Sequence, residues 1–408
     1  MSTFAVALRV RTFRSLRRHH NYRLFFAGQI VSVAGSWMQN TALAWLVLEL
    51  SGSPLAVGAL VFCRFLPFTL LGLAAGVVVD RLETRRVVMA TQAAAMAVSV
   101  VLAVVTLTGA VTLPIVYVLA ALGGVILVFD APGRQALTFE LVGRRELPNA
   151  VALNSGLLNA SRVVGPAIAG AVIATVGTGF CFAVNAVSFL AVLAALALMR
   201  EDELVPVERA STTGVLGGSR EALRYVRHDR ELRAVLGVVA VVSLVGFNFH
   251  VLVPLLAADL GLDSTTFGLL SAAFGVGALA GALIVASMRG ASRRAFVGGT
   301  VGFSLLLLAL APVDTPGLAA ALLVAIGVCF TLLTANANAL VQLRAPDRLR
   351  GRLVSLYLLA FVGLAPFGGL LAGWLAHLGG TGLSLAVAGL AGLAVVGLTA
   401  RTWRAAVP

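Results

Sequence analysis

The stretch that decides the fold is Pro54–Arg86, PLAVGALVFCRFLPFTLLGLAAGVVVDRLETRR. Residues 54–79 carry one charge, Arg64, and then Asp80, Arg81, Glu83, Arg85 and Arg86 arrive within seven positions. An apolar run of this length exceeds the ~20 residues that cross a ~30 Å hydrocarbon core as a helix. A charged loop closes it. Two hundred or so residues on, Ser264–Arg294 reads STTFGLLSAAFGVGALAGALIVASMRGASRR. Arg289, Arg293 and Arg294 repeat the spacing of Arg81, Arg85 and Arg86, while Gly277 and Gly281 repeat Gly72 and Gly76. Ser155 and Pro166 match Ser355 and Pro366 in the same way. These matches point to a duplicated unit.

Outward from these segments the same alternation covers the chain. Of the 408 residues 60% are hydrophobic and 12% charged, against about 25% charged in a soluble domain. Twelve apolar spans are expected, near 24–48, 54–79, 87–109, 112–137, 150–176, 178–199, 233–259, 264–288, 295–312, 316–342, 353–377 and 381–400. The first is too long for a signal-peptide core and is read as an uncleaved span. All thirty basic residues are arginine, and only Arg64 and Arg162 lie well within spans. The others fall in the tails and in every second connection, which places both termini in the cytoplasm. The net charge of +13 is thus topological and does not mark a nucleic-acid binder. The expected organisation is a tail (1–23), a six-helix bundle (24–199), a cytoplasmic linker (200–232) with a surface helix, a second bundle (233–400) and a tail (401–408). Both bundles together form an all-α integral membrane fold of twelve transmembrane helices in two pseudosymmetric halves.

Three spans carry polar stripes at helical spacing. They are Gln29, Ser32, Ser36 and Asn40 in span one; Ser155, Asn159, Arg162 and Pro166 in span five; and Thr331, Thr334, Asn338 and Gln342 in span ten. Offsets of 3 or 4, 7 and 11 keep each stripe within about 80° of one helix face, as a hydrated cavity between helices requires; interhelical hydrogen bonding in a dry bundle is the other use of such a stripe. Ionisable groups inside a membrane are functional candidates. Arg64 and Arg162 come out at nearly the same depth at 1.5 Å per residue, and both join the substrate-cavity set. Asp130 lies nearer the cytoplasm, one turn from Arg134, and serves either as a structural ion pair or in proton handling. His250 is the second proton-handling candidate, with a hydrogen-bonded helix contact as the alternative. The glycine pairs Gly72/Gly76, Gly277/Gly281 and Gly369/Gly373 suit close helix packing. Cys63, Cys181 and Cys329 have no disulfide or metal-site spacing. No nucleophile–base pair, metal cluster or phosphate loop is present in the sequence, so no enzyme activity and no cofactor is expected.

Gly76, Asp80, Arg81, Arg85 and Arg86 resemble the cytoplasmic signature of the major facilitator superfamily, with Glu83 and Thr84 in place of its usual Gly-Arg. Gly165, Pro166 and Gly170 resemble the Gly-Pro signature of drug/proton antiporters, with Ala169 replacing one closing glycine. The stretches FDAPGRQAL, LPNAVALNS, SRVVGPAIAG and RGRLVSLY are similar to the branch of enterobactin exporters and macrolide-efflux proteins, the transmembrane secretion effectors. That resemblance implies a monomer in the lipid bilayer exchanging protons for an amphipathic small molecule (drug, siderophore or secondary metabolite), with the Asp80 loop as a cytoplasmic latch. A lysolipid flippase, an uptake permease and a non-transporting membrane sensor or assembly factor are the alternatives.

Overall fold

A computed structural model describes residues 13–79, 81–205, 215–288 and 290–404. Among them every regular element is helical. The amino-terminal half holds α1 (His20–Ser51), α2 (Pro54–Val79), α3 (Thr84–Leu107), α4 (Leu113–Val176) and α5 (Thr178–Ala197). A connecting helix, α6 (Val215–His228), leads to the other half. There α7 (Arg230–Val241) widens into a π-turn at Val242–Gly246 and resumes as α8 (Phe249–Asp259). The rest are α9 (Ser264–Ser287), α10 (Arg293–Leu310), α11 (Pro316–Arg344), α12 (Arg350–Phe361) and α13 (Ala365–Arg404).

Nine of the described helical stretches are long and apolar enough to cross a membrane. Two of them, of 64 and 51 residues, are about twice the length one crossing needs. Each is broken at a glycine that leaves the helical region: Gly143 (φ 68°) in α4, and Gly379 with Gly380 (φ 75°) in α13. Positive φ is open to glycine without a Cβ clash. Counted as two crossings each, these stretches give eleven. The first expected span, α1, is 32 residues long but is not among these nine stretches. Leu70, Val187, Leu283 and Leu398 are among the large apolar side chains left exposed, as lipid-facing positions require.

The sequence expected a loop over 134–149. Instead the helix runs on to Gly143 and starts again directly after it, because Arg134–Val142 contains no glycine or proline to stop it. Similarly, α7 starts at Arg230, ahead of the expected 233, since Asp229 caps it by accepting hydrogen bonds from Glu231 N and Leu232 N.

The halves meet chiefly along two crossings, α2 with α13 and α4 with α9. Towards the end where the connections lack arginine, both crossings are glycine seams. A Cβ on Gly58 would sit 2.6 Å from the Gly369 carbonyl oxygen, and one on Gly268 would sit 2.6 Å from that of Pro166. Gly170 and Gly373 are equally close to the opposite backbone. Trp45 stacks on Phe267 across the halves there, ring centroids 5.0 Å apart. Towards the arginine-rich end the seams open. Gly76 and Gly156 have no foreign atom of the described residues within 4 Å of a notional Cβ, and the atoms nearest that of Gly72 belong to its own helix's Phe68. The expected packing role therefore holds for Gly277/Gly281, which lie against α11, and for Gly369/Gly373 against α2, but not for Gly72/Gly76. Gly76 stands clear of the described residues, and Gly72 lies against Phe68 of its own helix.

A candidate substrate cavity between the halves

Inside the closed end lies a cavity of about 70 Å³, walled by α1, α4, Phe247, α8 and α9. Its hub is Trp37. The Arg162 guanidinium carbon stands 5.2 Å from the Trp37 ring centroid, and His250 stacks on the same side chain at 5.9 Å and 26°. Asn40, one turn along α1, also lines the cavity and accepts a hydrogen bond from Arg64 Nη1. Arg64 also lies 5.8 Å from the Phe65 ring centroid, and that ring is 6.5 Å from His250. The carboxy-terminal half supplies an aromatic wall: Phe249 stacks on Phe274 at 4.3 Å and Phe247 on Phe330 at 4.5 Å.

The charge distribution here is one-sided. Every ion pair recorded among the described residues lies towards the arginine-rich end, and none includes Arg64 or Arg162. Arg162 Nε is buried with no hydrogen-bond partner. A buried donor left unpaired costs ~1–3 kcal/mol, more when charged. The cation–π contact with Trp37 offsets about 0.5–2 kcal/mol of this.

Asp130 occupies a separate cluster. It accepts hydrogen bonds from Thr91 Oγ1 (2.8 Å), Gln92 Nε2 (2.7 Å) and Arg134 Nε (2.5 Å), and Arg134 Nη1 donates to Gln29 Oε1 at 2.6 Å. The partner expected from spacing, Arg134, is the one found. Gln29, though on the α1 stripe, belongs to this cluster. Ser36 donates to the Ser32 carbonyl. Asn159 donates to the Ser155 carbonyl, Thr334 to the Phe330 carbonyl, and Gln342 to Asn338 Oδ1. The stripes of spans five and ten thus bond mainly along their own helices, and of all the stripe residues only Asn40, Arg162 and Pro166 line this cavity. Sequence reasoning passed over Trp37, Phe247, Phe249 and Phe274. The run GFNFH at 246–250, aromatic and ending in a titratable group, was the available signal.

Asp80 lies outside the described residues. Of its loop, Arg85 donates to the Leu196 carbonyl (2.9 Å) and pairs with Glu201 (2.5 Å), while Arg86 pairs with Glu83 at 2.6 Å. Gly165 packs on the α1 backbone at Ala34 and Met38 and on Trp37 Cβ, whereas Gly170 packs across the seam on Ser264. Two carboxylates not singled out in the sequence clamp the arginine-rich end, one per half. Buried Glu146 pairs with Arg14 (2.6 Å) and Arg18 (3.1 Å). Buried Glu231 receives Arg293 through both carboxylate oxygens (2.5 and 2.6 Å) and pairs with Arg344.

Residues 11–406 match the family model described as transmembrane secretion effector. The chain is 32% identical over 375 residues to the multidrug efflux pump Tap of Mycolicibacterium fortuitum, covering 88% of this chain and 89% of that one. It is 28% identical over 236 residues to the staphyloferrin A transporter of Staphylococcus aureus, covering 57% and 58%. Its fold matches a bacterial homologue of the human lysosomal transporter Spinster, solved in an inward-facing and occupied conformation. The TM-score is 0.73 at 13% identity, over 94% of this chain and 97% of that one.

Proposed function

The chain belongs to the transmembrane secretion effector family of major facilitator transporters, and from that premise we propose that it exports an amphipathic small molecule from the cytoplasm by alternating access, driven by the proton gradient. One observation carries this reading. A cavity with both cationic and aromatic walls lies between the halves, sealed at the arginine-free end by glycine seams that come apart towards the other end. Arginine-rich connections mark the cytoplasmic side, so the site faces inward, ready to load. Rocking the halves would open the glycine seams and close the face where Gly76 stands clear. The Arg85 and Arg86 contacts, made within their own half and the start of the linker, fit a latch that engages in the other state. Asp130 and His250 are the candidate proton sites: the first is locked among Thr91, Gln92 and Arg134, the second is on the cavity wall. Export by relatives named as efflux pumps supports the direction.

The test is accumulation of a panel of amphipathic dyes and antibiotics in cells with and without the protein. The measurement is repeated after a protonophore collapses the gradient. Lower accumulation with the protein, abolished by the protonophore, is expected. Higher accumulation with the protein would make it an importer.

A further inference from the structure

We propose, building on the transporter reading, that the cavity is built for an anion: an aromatic amphipath carrying a carboxylate or another oxyanion, held by Arg162 with Arg64 beside it. At 1.5 Å per residue Arg64 lies about 15 Å along α2 from Pro54, and Arg162 about 21 Å back along α4 from Val176. Both are therefore well inside the hydrocarbon depth. Two guanidinium groups and an imidazole converge on Trp37 and Asn40, and none of the recorded ion pairs supplies either arginine with a carboxylate. Asp130 does not serve them, because its oxygens already accept from Thr91, Gln92 and Arg134.

A cation in this cavity would meet like charge at low dielectric with no carboxylate counter-ion among the described residues, and would be repelled. An oxyanion reverses the sign. It supplies acceptors for the guanidinium, including the buried Nε that has none, and Arg presents parallel donors in the geometry a carboxylate accepts. The roughly 70 Å³ of the cavity takes the charged head and the edge of the apolar part against the Phe249 and Phe274 rings, the rest of the ligand extending towards the arginine-rich end. The same arrangement explains why Trp37 touches the arginine: the cation–π contact partly compensates the charge while the cavity is empty.

Fluorescein and rhodamine 6G share a xanthene ring system but carry opposite charge, so they separate charge from shape. Purified full-length protein in lipid nanodiscs is titrated into each dye and anisotropy is read. Fluorescein is expected to bind at least tenfold tighter. R162A should weaken fluorescein tenfold or more and leave rhodamine 6G unchanged or tighter. R162K, which keeps the charge and so guards against misfolding, should weaken fluorescein severalfold by losing the fork. Rhodamine 6G binding as tightly as fluorescein, binding of neither dye, or a fluorescein affinity indifferent to both variants overturns the proposal. Its failure is separable from failure of the export reading. Cells that export rhodamine 6G but not fluorescein keep export and end the anion site. Cells that export neither, while the purified protein binds fluorescein, do the opposite.

Discussion

Arg162 and Trp37 meet at 5.2 Å, guanidinium carbon to ring centroid, which ties the second limb of α4 to α1 at the wall of the cavity. His250 from the other half stacks on the same tryptophan, so one side chain joins both halves to the charged site.

Trp37→Ala is accordingly expected to slow export about tenfold or more. It removes a cation–π contact of about 0.5–2 kcal/mol and a ring pair of about 0.5–1.5 kcal/mol. Trp37→Phe should retain most of the activity. Export rates normalised to folded protein decide it, and equal rates for wild type and Trp37→Ala would remove Trp37 from the site.

Glu231→Gln should destabilise the carboxy-terminal half. The carboxylate is buried and holds Arg293 and Arg344, and breaking a buried pair costs ~3–5 kcal/mol. Both arginines are about a third or more exposed, so ~1–3 kcal/mol is expected after solvent screening. Thermal unfolding in detergent, followed by reaction of the three native cysteines with a thiol-reactive dye, should shift down by several degrees. Glu203→Gln, at an exposed pair with Arg200, should leave it unmoved.

Gly268→Val should keep the arginine-free end from closing, since its Cβ would fall 2.6 Å from the Pro166 carbonyl oxygen. Ser271→Cys lines the cavity and reports access in a variant lacking Cys63, Cys181 and Cys329. Added membrane-impermeant maleimide should label it faster in intact cells when Gly268→Val is present. Unchanged labelling with normal transport would show that this seam does not gate.

Orientation is checked at the two ends of α10. Arg294, in the first turn of that helix, and Asp314, just beyond its other end, are both exposed. In the cysteine-less variant Asp314→Cys should react with the same reagent in intact cells and Arg294→Cys only after permeabilisation. The reverse pattern would invert the topology.

The sequence made the apolar spans, the arginine asymmetry and the duplication readable because each depends on local composition. The Asp130–Arg134 pair was readable too, being one turn apart on one helix. What stayed hidden depends on how helices rotate against each other. The Arg64–Asn40 bond links α2 to α1 across 24 residues, and nothing local distinguishes Asn40, which faces the cavity, from Gln29, which faces the Asp130 cluster. Gly72/Gly76 and Gly277/Gly281 share a pattern but not a role, since only the second pair meets a neighbouring helix. Glu146 falls in a connection and Glu231 in a linker with a surface helix, both read as solvated; their burial comes from how the helices there pack.

Arg64 and Arg162, which have no ion-pair partner among the described residues, would also make the empty carrier an electrical object. While the cavity communicates with the arginine-rich side, its fixed positive charge sits near the potential of that compartment. Turning it to face the other side moves that charge through the field, worth about 2.3 kcal/mol per elementary charge per 100 mV. With the interior negative, the vacant site would be held facing inward. A bound anion cancels the charge and lifts the bias, so voltage itself would keep the unloaded transporter from cycling. Rapid ligand addition to proteoliposomes on a supported membrane should then evoke a transient capacitive current, one that vanishes in the Arg64→Gln, Arg162→Gln double variant.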